Sequence, residues 1–277
     1  MILVFGASGQ VACALGAQGG TTCLARADAD LEQPQACADA ITARQPVAVI
    51  NAAAYTNVDA AEADEARAHT INATAPRVMA ETCADLGIPF VSISTDYVFD
   101  GAGEAPWSEE DIPAPINAYG HSKLAGEAGI LAAGGTVLRT SWVVSEHGSN
   151  FVKTMLRLGA EREALNVVAD QIGGLTHAAD IARACHDMAQ ALIKDPTNSG
   201  LYHFAGTPDA SWADVAREVF VQARINCTVT DITSDQYPTP AARPRNSRLD
   251  CRKIARIFGI NRPDWRKSIT AILDDLT

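Results

Sequence analysis

The sequence has no long hydrophobic run, and this limits where the protein is expected to act. None of its apolar stretches approaches the ~20 residues that a helix needs to span a bilayer. Strand-like sequence begins at Met1, which leaves no room for the basic and apolar regions of a secretory signal peptide. We therefore expect a cytoplasmic protein without a membrane partner.

Cysteine is present, but not in the patterns that disulfide frameworks or zinc sites require. The chain has seven cysteines, an odd number, and no two of them form a C-x-x-C pair. We expect reduced thiols that pack as small apolar side chains. No metal is expected from these residues.

Basic residues are few: the chain has 22 Lys and Arg but 33 Asp and Glu, which gives a formal net charge of −11. This charge disfavours nonspecific binding to nucleic acid or to an anionic membrane, so no nucleic-acid partner is expected. An anionic small substrate stays compatible, because it needs only a local basic pocket. Hydrophobic residues make up 47% and charged residues 20%, which is typical of a globular protein.

Short apolar runs alternate with helical patterns along the first half of the chain. Strands are predicted at 2–5, 22–25, 46–51, 89–94 and 136–142, and helices near 11–17, 31–44, 57–86 and 117–133. Later in the chain, strands are predicted at 165–168 and 201–204, and helices near 177–193 and 213–223. Apolar strands separated by helices indicate a parallel sheet that is covered on both faces. The predicted fold class is α/β: a Rossmann-like, doubly wound parallel sheet with a smaller C-terminal substrate-binding lobe.

A glycine-rich turn follows the first strand and opens the first helix. Gly6 permits the tight turn, Gly9 lets the backbone approach a pyrophosphate, and Ala12 is small enough for helix–strand packing. The helix N-terminus offers free N–H groups to phosphates. A glycine turn alone is also typical of an ordinary strand–helix connection. Its position after the first strand of an α/β pattern favours NAD(P) binding.

The end of the second strand bears on which nicotinamide cofactor binds. NAD enzymes usually carry Asp or Glu there to hold the ribose 2′-hydroxyl, whereas this chain has Arg26. Arginine favours the 2′-phosphate of NADP, and Asp30 could border the adenine. We expect NADP (NADPH), with NAD as the alternative. Residues 1–145 would form the NAD(P)-binding domain, and residues 146–277 mainly the substrate-binding lobe, with a segment near 165–193 returning to the first domain.

Tyr119 and Lys123 are four residues apart on a predicted helix, so they share one helix face. A neighbouring cation favours the phenolate and lowers the pKa of a tyrosine, which suits general acid catalysis near neutral pH. Thr95 follows the fourth strand at its carboxyl end, where α/β sheets bind ligands, and could donate a hydrogen bond to a substrate carbonyl. A lone Y-x-x-x-K is more often a surface pair, but the three residues in this order indicate a reductase.

Several strings resemble one family of the extended short-chain dehydrogenase/reductase superfamily, the dTDP-4-dehydrorhamnose reductases. They are NAAAYT (51–56), STDYVFDG (94–101), YGHSKLAGE (119–127), RTSWV (139–143), NFVKTMLRL (150–158), VADQIGG (168–174) and YPTPAARPRNSRLD (237–250). The resemblance covers nearly the whole chain. It implies NAD(P)H-dependent reduction of the 4-keto group of dTDP-4-dehydro-L-rhamnose to dTDP-L-rhamnose.

The same resemblance implies a set of site residues. Thr95, Tyr119 and Lys123 fall on catalytic positions, with Tyr119 as the proton donor and Lys123 also holding the cofactor ribose. The cofactor positions fall on Gly9, Gln10, Val11, Asp30, Leu31, Ala54, Tyr55 and Thr56. The substrate positions fall on Thr95, Asp96, Tyr97 and Trp142.

Two further features concern the substrate and the assembly. Arg243 and Arg245 lie in a proline-rich loop, and their guanidinium groups suit the pyrophosphate of a dTDP-sugar, although exposed loop arginines are an equally good interpretation from the residues alone. Some members of the family form a metal-bridged dimer through a glutamate on the first helix. Ala14 stands at that position here, so no metal is expected, while a homodimer stays open.

Three other functions compete with this prediction. The chain could reduce a different nucleotide-linked 4-keto-6-deoxy sugar, or it could be an epimerase or dehydratase of sugar nucleotides. A dehydratase would be expected to carry Asp-Glu after the strand hydroxyl, whereas Asp96 and Tyr97 follow here. The third is a non-catalytic NADP-binding regulatory subunit, resembling that of methionine adenosyltransferase. The intact Thr95, Tyr119 and Lys123 set favours catalysis.

Overall fold

The computed structural model describes residues 1–276 as an α/β protein with one large sheet and three small ones. The strands are β1 Ile2–Phe5, β2 Thr21–Leu24, β3 Ala48–Asn51, β4 Phe90–Thr95, β5 Thr136–Thr140, β6 Val143–Val144, β7 Ala164–Val168, β8 Ile172–Gly173, β9 Thr176–His177, β10 Leu201–His203, β11 Ala210–Ser211, β12 Thr228–Ile232 and β13 Asn246–Ser247. The helices are α1 Gln10–Gly16, α2 Pro34–Arg44, α3 Val58–Ala61, α4 Glu65–His69, α5 Ala75–Asp85, α6 Ala118–Ala132, α7 Phe151–Glu161, α8 Ala178–Lys194, α9 Trp212–Ala223, α10 Arg252–Phe258 and α11 Trp265–Leu276.

The large sheet is parallel throughout and has the strand order β10-β5-β4-β3-β1-β2. The chain moves outward in one direction from β1 to β2 and in the other from β3 onward. The carboxyl ends of β1 and β3 therefore flank the point where the winding reverses, which is where open α/β sheets bind ligands. The predicted Rossmann-like, doubly wound fold is confirmed.

Helices cover both faces of the large sheet, and this explains why its strands are apolar rather than alternating. One core lies under α1 and α8 and includes Leu15, Ile181 and Met188. The other lies under α2 and α5 and includes Ile41 and Met79. Two hydrophobic cores thus stabilise the sheet, one on each face, and its carboxyl edge is available for ligand binding.

A third hydrophobic core belongs to the second half of the chain. Helices α7, α9 and α11 pack together there around residues such as Val152, Phe220 and Trp265. The parallel pair β7 and β12 lies beside them. In contrast, α8 packs against α1, β3 and β4, and β10 adds the edge strand next to β5. Within the range 165–193, α8 thus lies on the large sheet, whereas β7 does not.

The predicted helix near 57–86 is wrong as a single element. Helices α3 and α4 are separate, and a π-helical segment, Thr70–Thr74, connects α4 to α5. Pro76 has no backbone N–H to continue the ladder at the start of α5. The wider π turn places the buried Asn72 side chain against Tyr55 and Ser122. The break therefore serves to link α6 to the segment after β3.

All seven cysteines are free thiols, and no group of three or more His, Cys, Asp or Glu side chains in residues 1–276 is arranged to hold a metal ion. Burial raises the pKa of Cys37, Cys83, Cys185 and Cys251 to about 12. In the same part of the chain, no helix is both long and apolar enough to cross a membrane.

Candidate active site

Two adjoining cavities lie at the carboxyl edge of the large sheet, beside the point where the winding reverses. Their volumes are about 420 and 470 Å³. We call them the first and the second cavity. Residues common to both walls are Ser8, Gly9, Ala52, Ala53, Ala54 and Thr56. Because the walls are shared, the two cavities form one elongated groove of the kind that a dinucleotide requires.

The glycine turn forms the junction between the cavities. Gly6 has φ +111°, a conformation that strongly favours glycine, and a Cβ there would lie 3.2 Å from the Ala12 Cβ. A Cβ built on Gly9 would meet nothing within 4 Å, so the backbone at the start of α1 faces open space. The turn therefore offers a bare backbone surface that fits a pyrophosphate. Val11 lines the second cavity beside it.

Gln10, the first residue of α1, ties this turn to the chain that follows β6. Its Oε1 accepts hydrogen bonds from Ser145 Oγ at 2.9 Å and from Asn150 Nδ2 at 3.0 Å. Its Nε2 donates to the Val143 carbonyl at 3.4 Å. Gly148 and Ser149 of this segment line the second cavity. Gln10 thus positions the outer wall of the groove.

The first cavity has the features of an adenosine site. Its wall includes the predicted cofactor residues Gly6, Gly9, Arg26, Asp30, Leu31, Ala54, Tyr55 and Thr56. Arg26 Nε donates to Asp30 Oδ2 at 3.1 Å. Tyr55 is fixed through its backbone N–H, which donates to Asn72 Oδ1 at 2.8 Å. The wall also includes Arg67 of α4, which the sequence analysis did not select.

The second cavity brings Thr95, Tyr119 and Lys123 together. Thr95 ends β4, while the other two residues come from the first two turns of α6. Lys123 is buried, and its Nζ donates to the Ile93 carbonyl at 2.7 Å. Burial lowers the pKa of Lys123 to about 8, and the carboxylate of Glu127 opposes that change. The predicted triad therefore shares one wall of the groove.

The protonation of Tyr119 differs from the sequence-based expectation. Burial raises its pKa above the ordinary value of 10, a hydrogen bond with Thr95 opposes the rise, and the Asp96 carboxylate adds to it. Desolvation outweighs any help from Lys123, whose ammonium group is bonded to Ile93. Tyr119 is therefore a phenol at neutral pH and able to donate a proton.

A buried ion pair that was not predicted from the sequence joins α6 to the large sheet. Arg139 Nη2 donates to Glu127 Oε2 at 2.6 Å, and Ser94 Oγ donates to Glu127 Oε1 at 2.5 Å. Glu127 and Arg139 are only 3% and 2% exposed. These bonds join α6, which carries Lys123, to β5 and to β4, which carries Thr95. Glu127 lies one helical turn after Lys123 in YGHSKLAGE (119–127), and this spacing indicates from the sequence that the two residues share a helix face.

Asp96 is buried at the base of the second cavity, and its charge is poorly compensated. Its Oδ1 accepts from Thr95 Oγ1 at 3.1 Å, but Oδ2 makes no hydrogen bond of ordinary geometry within residues 1–276. Burial raises the pKa of Asp96 to about 6, although the nearby hydroxyl groups of Ser247 and Thr95 lower it. Ser247 Oγ and Thr140 Oγ1 likewise lack a partner there. Thr140 also lines the cavity, so this wall presents unpaired polar groups to a ligand.

Two stacked indole rings form another part of the wall of the second cavity. Trp142 and Trp212 both line the second cavity, with ring centroids 3.7 Å apart and planes at 11°. Trp142 has φ +49°, an unusual backbone conformation for a large residue. Trp212 Nε1 donates to Gln171 Oε1 at 3.2 Å. Trp212, at the start of α9, was not selected from the sequence because its contact with Trp142 spans 70 residues. Tyr97 completes the wall, with its ring centroid 5.9 Å from that of Tyr119.

Arg243 and Arg245 lie outside the walls of both cavities. Arg243 makes two hydrogen bonds to the Asp59 carboxylate, at 2.7 and 2.9 Å, which raise its pKa, although burial opposes the rise. Burial raises the pKa of the Tyr97 phenol, and the nearby positive charge of Arg243 opposes that rise. Arg245 is exposed and paired with Asp170 and Asp235 at 3.6 and 3.3 Å. The structure thus places Arg243 beside Tyr97 of the second cavity and Arg245 farther out.

Known proteins are similar to this chain over all or nearly all of its sequence. The family model described as RmlD substrate binding domain matches residues 1–277. A dTDP-4-dehydrorhamnose reductase of Sinorhizobium fredii is 43% identical over 279 residues, which cover 96% of this chain and 94% of the relative. The dTDP-4-dehydrorhamnose reductase of Escherichia coli K12 is 39% identical over 256 residues, which cover 89% of this chain and 85% of the relative.

Solved structures give the same result. A dTDP-4-dehydrorhamnose reductase from Clostridium acetobutylicum superposes with a TM-score of 0.92 at 34% identity and covers 99% of both chains. One from Bacillus anthracis, determined in complex with NADP, superposes with a TM-score of 0.91 at 33% identity and covers 99% of this chain and 98% of that one.

Proposed function

This chain belongs to the RmlD family of dTDP-4-dehydrorhamnose reductases, and on that premise we propose that it reduces the 4-keto group of dTDP-4-dehydro-L-rhamnose to give dTDP-L-rhamnose. It is an NADP-dependent oxidoreductase with a Rossmann-like fold. The observation that best supports the substrate side is the meeting of Thr95, Tyr119 and Lys123 in one cavity that adjoins a dinucleotide-shaped groove.

The groove fits NADP through features of this chain. Gly6 and Gly9 leave the backbone of the turn bare, Leu31 and Ala54 give the first cavity apolar walls, and Arg26 supplies a cation there. When bound, the reduced nicotinamide supplies a hydride to the substrate carbonyl carbon. One N–H of the Lys123 ammonium group donates to the Ile93 carbonyl, and its other N–H groups would hold the cofactor ribose.

Tyr119 donates the proton that the keto oxygen needs as it becomes a hydroxyl. Because burial keeps Tyr119 protonated at neutral pH, the proton is available when substrate arrives. Thr95, whose hydroxyl donates to Asp96 Oδ1 at 3.1 Å, turns to donate to the same oxygen and stabilises its developing negative charge. Asp96 and Thr140 offer acceptors to the sugar hydroxyl groups through their unpaired oxygens.

The remaining substrate contacts follow from the cavity walls. Trp142, stacked on Trp212, provides a flat apolar surface for the sugar ring, and Tyr97 lines the same cavity. Arg243 binds the diphosphate of the dTDP group, because it lies beside Tyr97 and already binds an anion through a two-point contact with Asp59. Arg245 contributes at longer range. Residues 1–145 form the cofactor domain, and residues 146–277 form mainly the substrate lobe.

The decisive experiment measures loss of nicotinamide absorbance with purified protein and dTDP-4-keto-6-deoxyglucose. Each of NADPH and NADH is tested with and without the 3,5-epimerase, and Tyr119→Phe protein is the inactive control. Oxidation that depends on the epimerase is the expected result. Oxidation without the epimerase would instead identify a different 4-keto sugar as the substrate, and no oxidation by protein that binds the cofactor would favour a regulatory role.

A further inference from the structure

Two arginine side chains meet on one carboxylate at the rim of the first cavity. Arg26 and Arg67 both donate through Nη2 to the same oxygen, Glu32 Oε1, and the Arg67 bond is 2.7 Å long. Arg26 follows β2, whereas Arg67 lies on α4, so only the fold brings them together. Since one carboxylate oxygen accepts from both, the two guanidinium groups already converge on a single anionic atom.

Both arginines face the cavity, but Glu32 does not contribute to its wall. The Arg67 guanidinium carbon lies 5.9 Å from the centroid of the Tyr55 ring, another residue of that wall. The side chains of Arg26, Arg67 and Glu32 are 59%, 42% and 34% exposed. Ion pairs this exposed contribute little to stability, so an incoming anion can replace them at small cost.

We propose that Arg26 and Arg67 together bind the 2′-phosphate of NADP, with Arg67 as the residue that sets the preference over NAD, and that Glu32 competes with the phosphate for both. This inference rests on the proposed cofactor and extends it to residues on two separate elements. A phosphate offers three acceptor oxygens and a charge near −2, so it replaces Glu32 with stronger bonds to both arginines.

The surrounding charges limit this preference. Arg26 also pairs with Asp30 at 3.1 Å, and Arg67 with Asp64 at 3.6 Å. Two positive charges thus face three negative ones when Glu32 is counted. Among residues 1–276, Glu32 is the only carboxylate that binds both arginines, so neutralising it should free both and strengthen the binding of a phosphate.

The probes are adenosine 2′,5′-bisphosphate and AMP, which differ only in the 2′-phosphate. Their dissociation constants are measured by titration calorimetry with the wild-type chain and three single variants. Arg67→Gln removes the proposed contact, and Glu32→Gln removes the competing charge. Arg77→Gln is the matched control, because Arg77 is equally exposed, pairs with Glu81 at 2.5 Å and lies outside the cavity wall.

We expect the wild-type protein to bind the bisphosphate more tightly than AMP. Arg67→Gln should weaken bisphosphate binding about tenfold and leave AMP binding unchanged, as for the loss of a charge-assisted contact. Glu32→Gln should tighten bisphosphate binding several-fold, and Arg77→Gln should change neither constant.

Other outcomes would overturn the inference. Equal weakening of both ligands by Arg67→Gln would mean that Arg67 only packs against Tyr55 and the adenine, and two unchanged dissociation constants would remove it from the site. Weaker bisphosphate binding in Glu32→Gln would contradict the competition. No sugar is present in these titrations, so an error in the proposed substrate would not alter them, whereas failure of the wild-type chain to bind either nucleotide would overturn the cofactor site itself.

Discussion

The catalytic role proposed for Tyr119 depends on a protonation state that burial controls. Its raised pKa keeps the phenol protonated over the pH range in which Lys123, with a pKa of about 8, carries its positive charge. A reductase needs this combination, since the tyrosine must begin as an acid and the lysine as a cation. The same burial would hinder the reverse reaction, in which the tyrosine would have to begin as a phenolate.

Replacing Tyr119 by Phe tests this role directly. The variant keeps the ring and loses only the hydroxyl, so NADPH binding should stay within about twofold of wild type while kcat falls by ~10²–10⁴, the range for lost general acid catalysis. Steady-state kinetics and nucleotide titration are the measurements. Tyr237→Phe, at an exposed ring, is the control and should change neither quantity. Undiminished kcat in Tyr119→Phe protein would remove the residue from the chemistry.

Asp96 illustrates how a substrate site can reduce stability. Burial raises its folded-state pKa to about 6, above the ordinary value of 3.8. Between these pH values the folded chain binds more protons than the unfolded chain. The destabilisation from Asp96 therefore grows as the pH rises from about 4 to 6 and is complete above that range.

The variant Asp96→Asn should remove this cost. We expect its free energy of unfolding to exceed that of the wild type at pH 7.5, by about 2–3 kcal/mol at most, and the difference to disappear near pH 4. Urea unfolding across this pH range is the measurement. Asp85→Asn, at an exposed position, should show no such trend. A stability difference that did not depend on pH would mean that the Asp96 carboxylate is compensated. Catalysis should be impaired, because the substrate loses a charged acceptor.

At the scale of elements, α6 depends on close backbone contact. A Cβ at Gly126 would lie 2.1 Å from the Asn72 carbonyl oxygen, and one at Gly120 would lie 2.2 Å from that of Tyr97. These glycines allow α6 to approach the π-helical segment and the turn after β4. The same approach fixes the distance from Tyr119 to Thr95, so helix packing and catalytic geometry are linked.

We therefore expect Gly126→Ala to push α6 outward. Overpacking of this kind costs ~1–3 kcal/mol or more, and the displaced Tyr119 and Lys123 should lower kcat as well. Thermal unfolding and steady-state kinetics are the measurements. Gly19→Ala is the matched control, because its Cβ would meet nothing within 4 Å, and its stability should be equal to or slightly above that of wild type. Equal melting temperatures for the two variants would contradict the packing argument.

The elements differ in how well the sequence predicted them. The bounds of β1 and most other strands of the large sheet were predicted within two residues, because apolar runs bounded by turn residues have few interpretations. Helices α7, α10 and α11 were not predicted, although Asn150 caps α7 by accepting from the Lys153 N–H at 3.2 Å. The break between α3 and α5 was missed because it depends on contacts with α6.

The site residues likewise divide into those that a local pattern predicts and those that depend on contacts distant in sequence. Tyr119, Lys123 and the glycine turn are short local patterns, and the structure brings them to one groove. Glu127, Trp212 and Arg67 were not selected, because each acts through a partner that is distant in sequence. The raised pKa of Tyr119 could not be predicted from the sequence either, because burial is a property of the folded chain.

At the scale of the whole molecule, the cofactor-binding sheet is not complete within the first half of the chain. Helix α8 covers β3 and β4 on one face, and β10 extends the sheet at β5. Both follow residue 145. The two halves are therefore parts of one folding unit, although we assign them different ligands.

A fragment of residues 1–145 should consequently fail to fold on its own. It would expose the apolar residues that now face α8, so we expect no cooperative transition in urea by circular dichroism, whereas the full chain should show a single transition. Adding the fragment 146–277 in trans should restore part of the signal. A cooperative transition for 1–145 alone would show that the cofactor domain is independent.

The buried thiols can report on opening of the folded chain around the large sheet. Cys185 is a buried residue of α8, on one face of the large sheet, whereas Cys37 of α2 and Cys83 of α5 are buried on the other face. With a pKa of about 12, each is almost wholly protonated at pH 8 and shielded from reagents, so alkylation must wait for the chain to open. Mass spectrometry can follow each cysteine separately in the unmodified sequence. Equal alkylation rates on the two faces would mean that they open together, and a faster rate at Cys185 would mean that α8 detaches first.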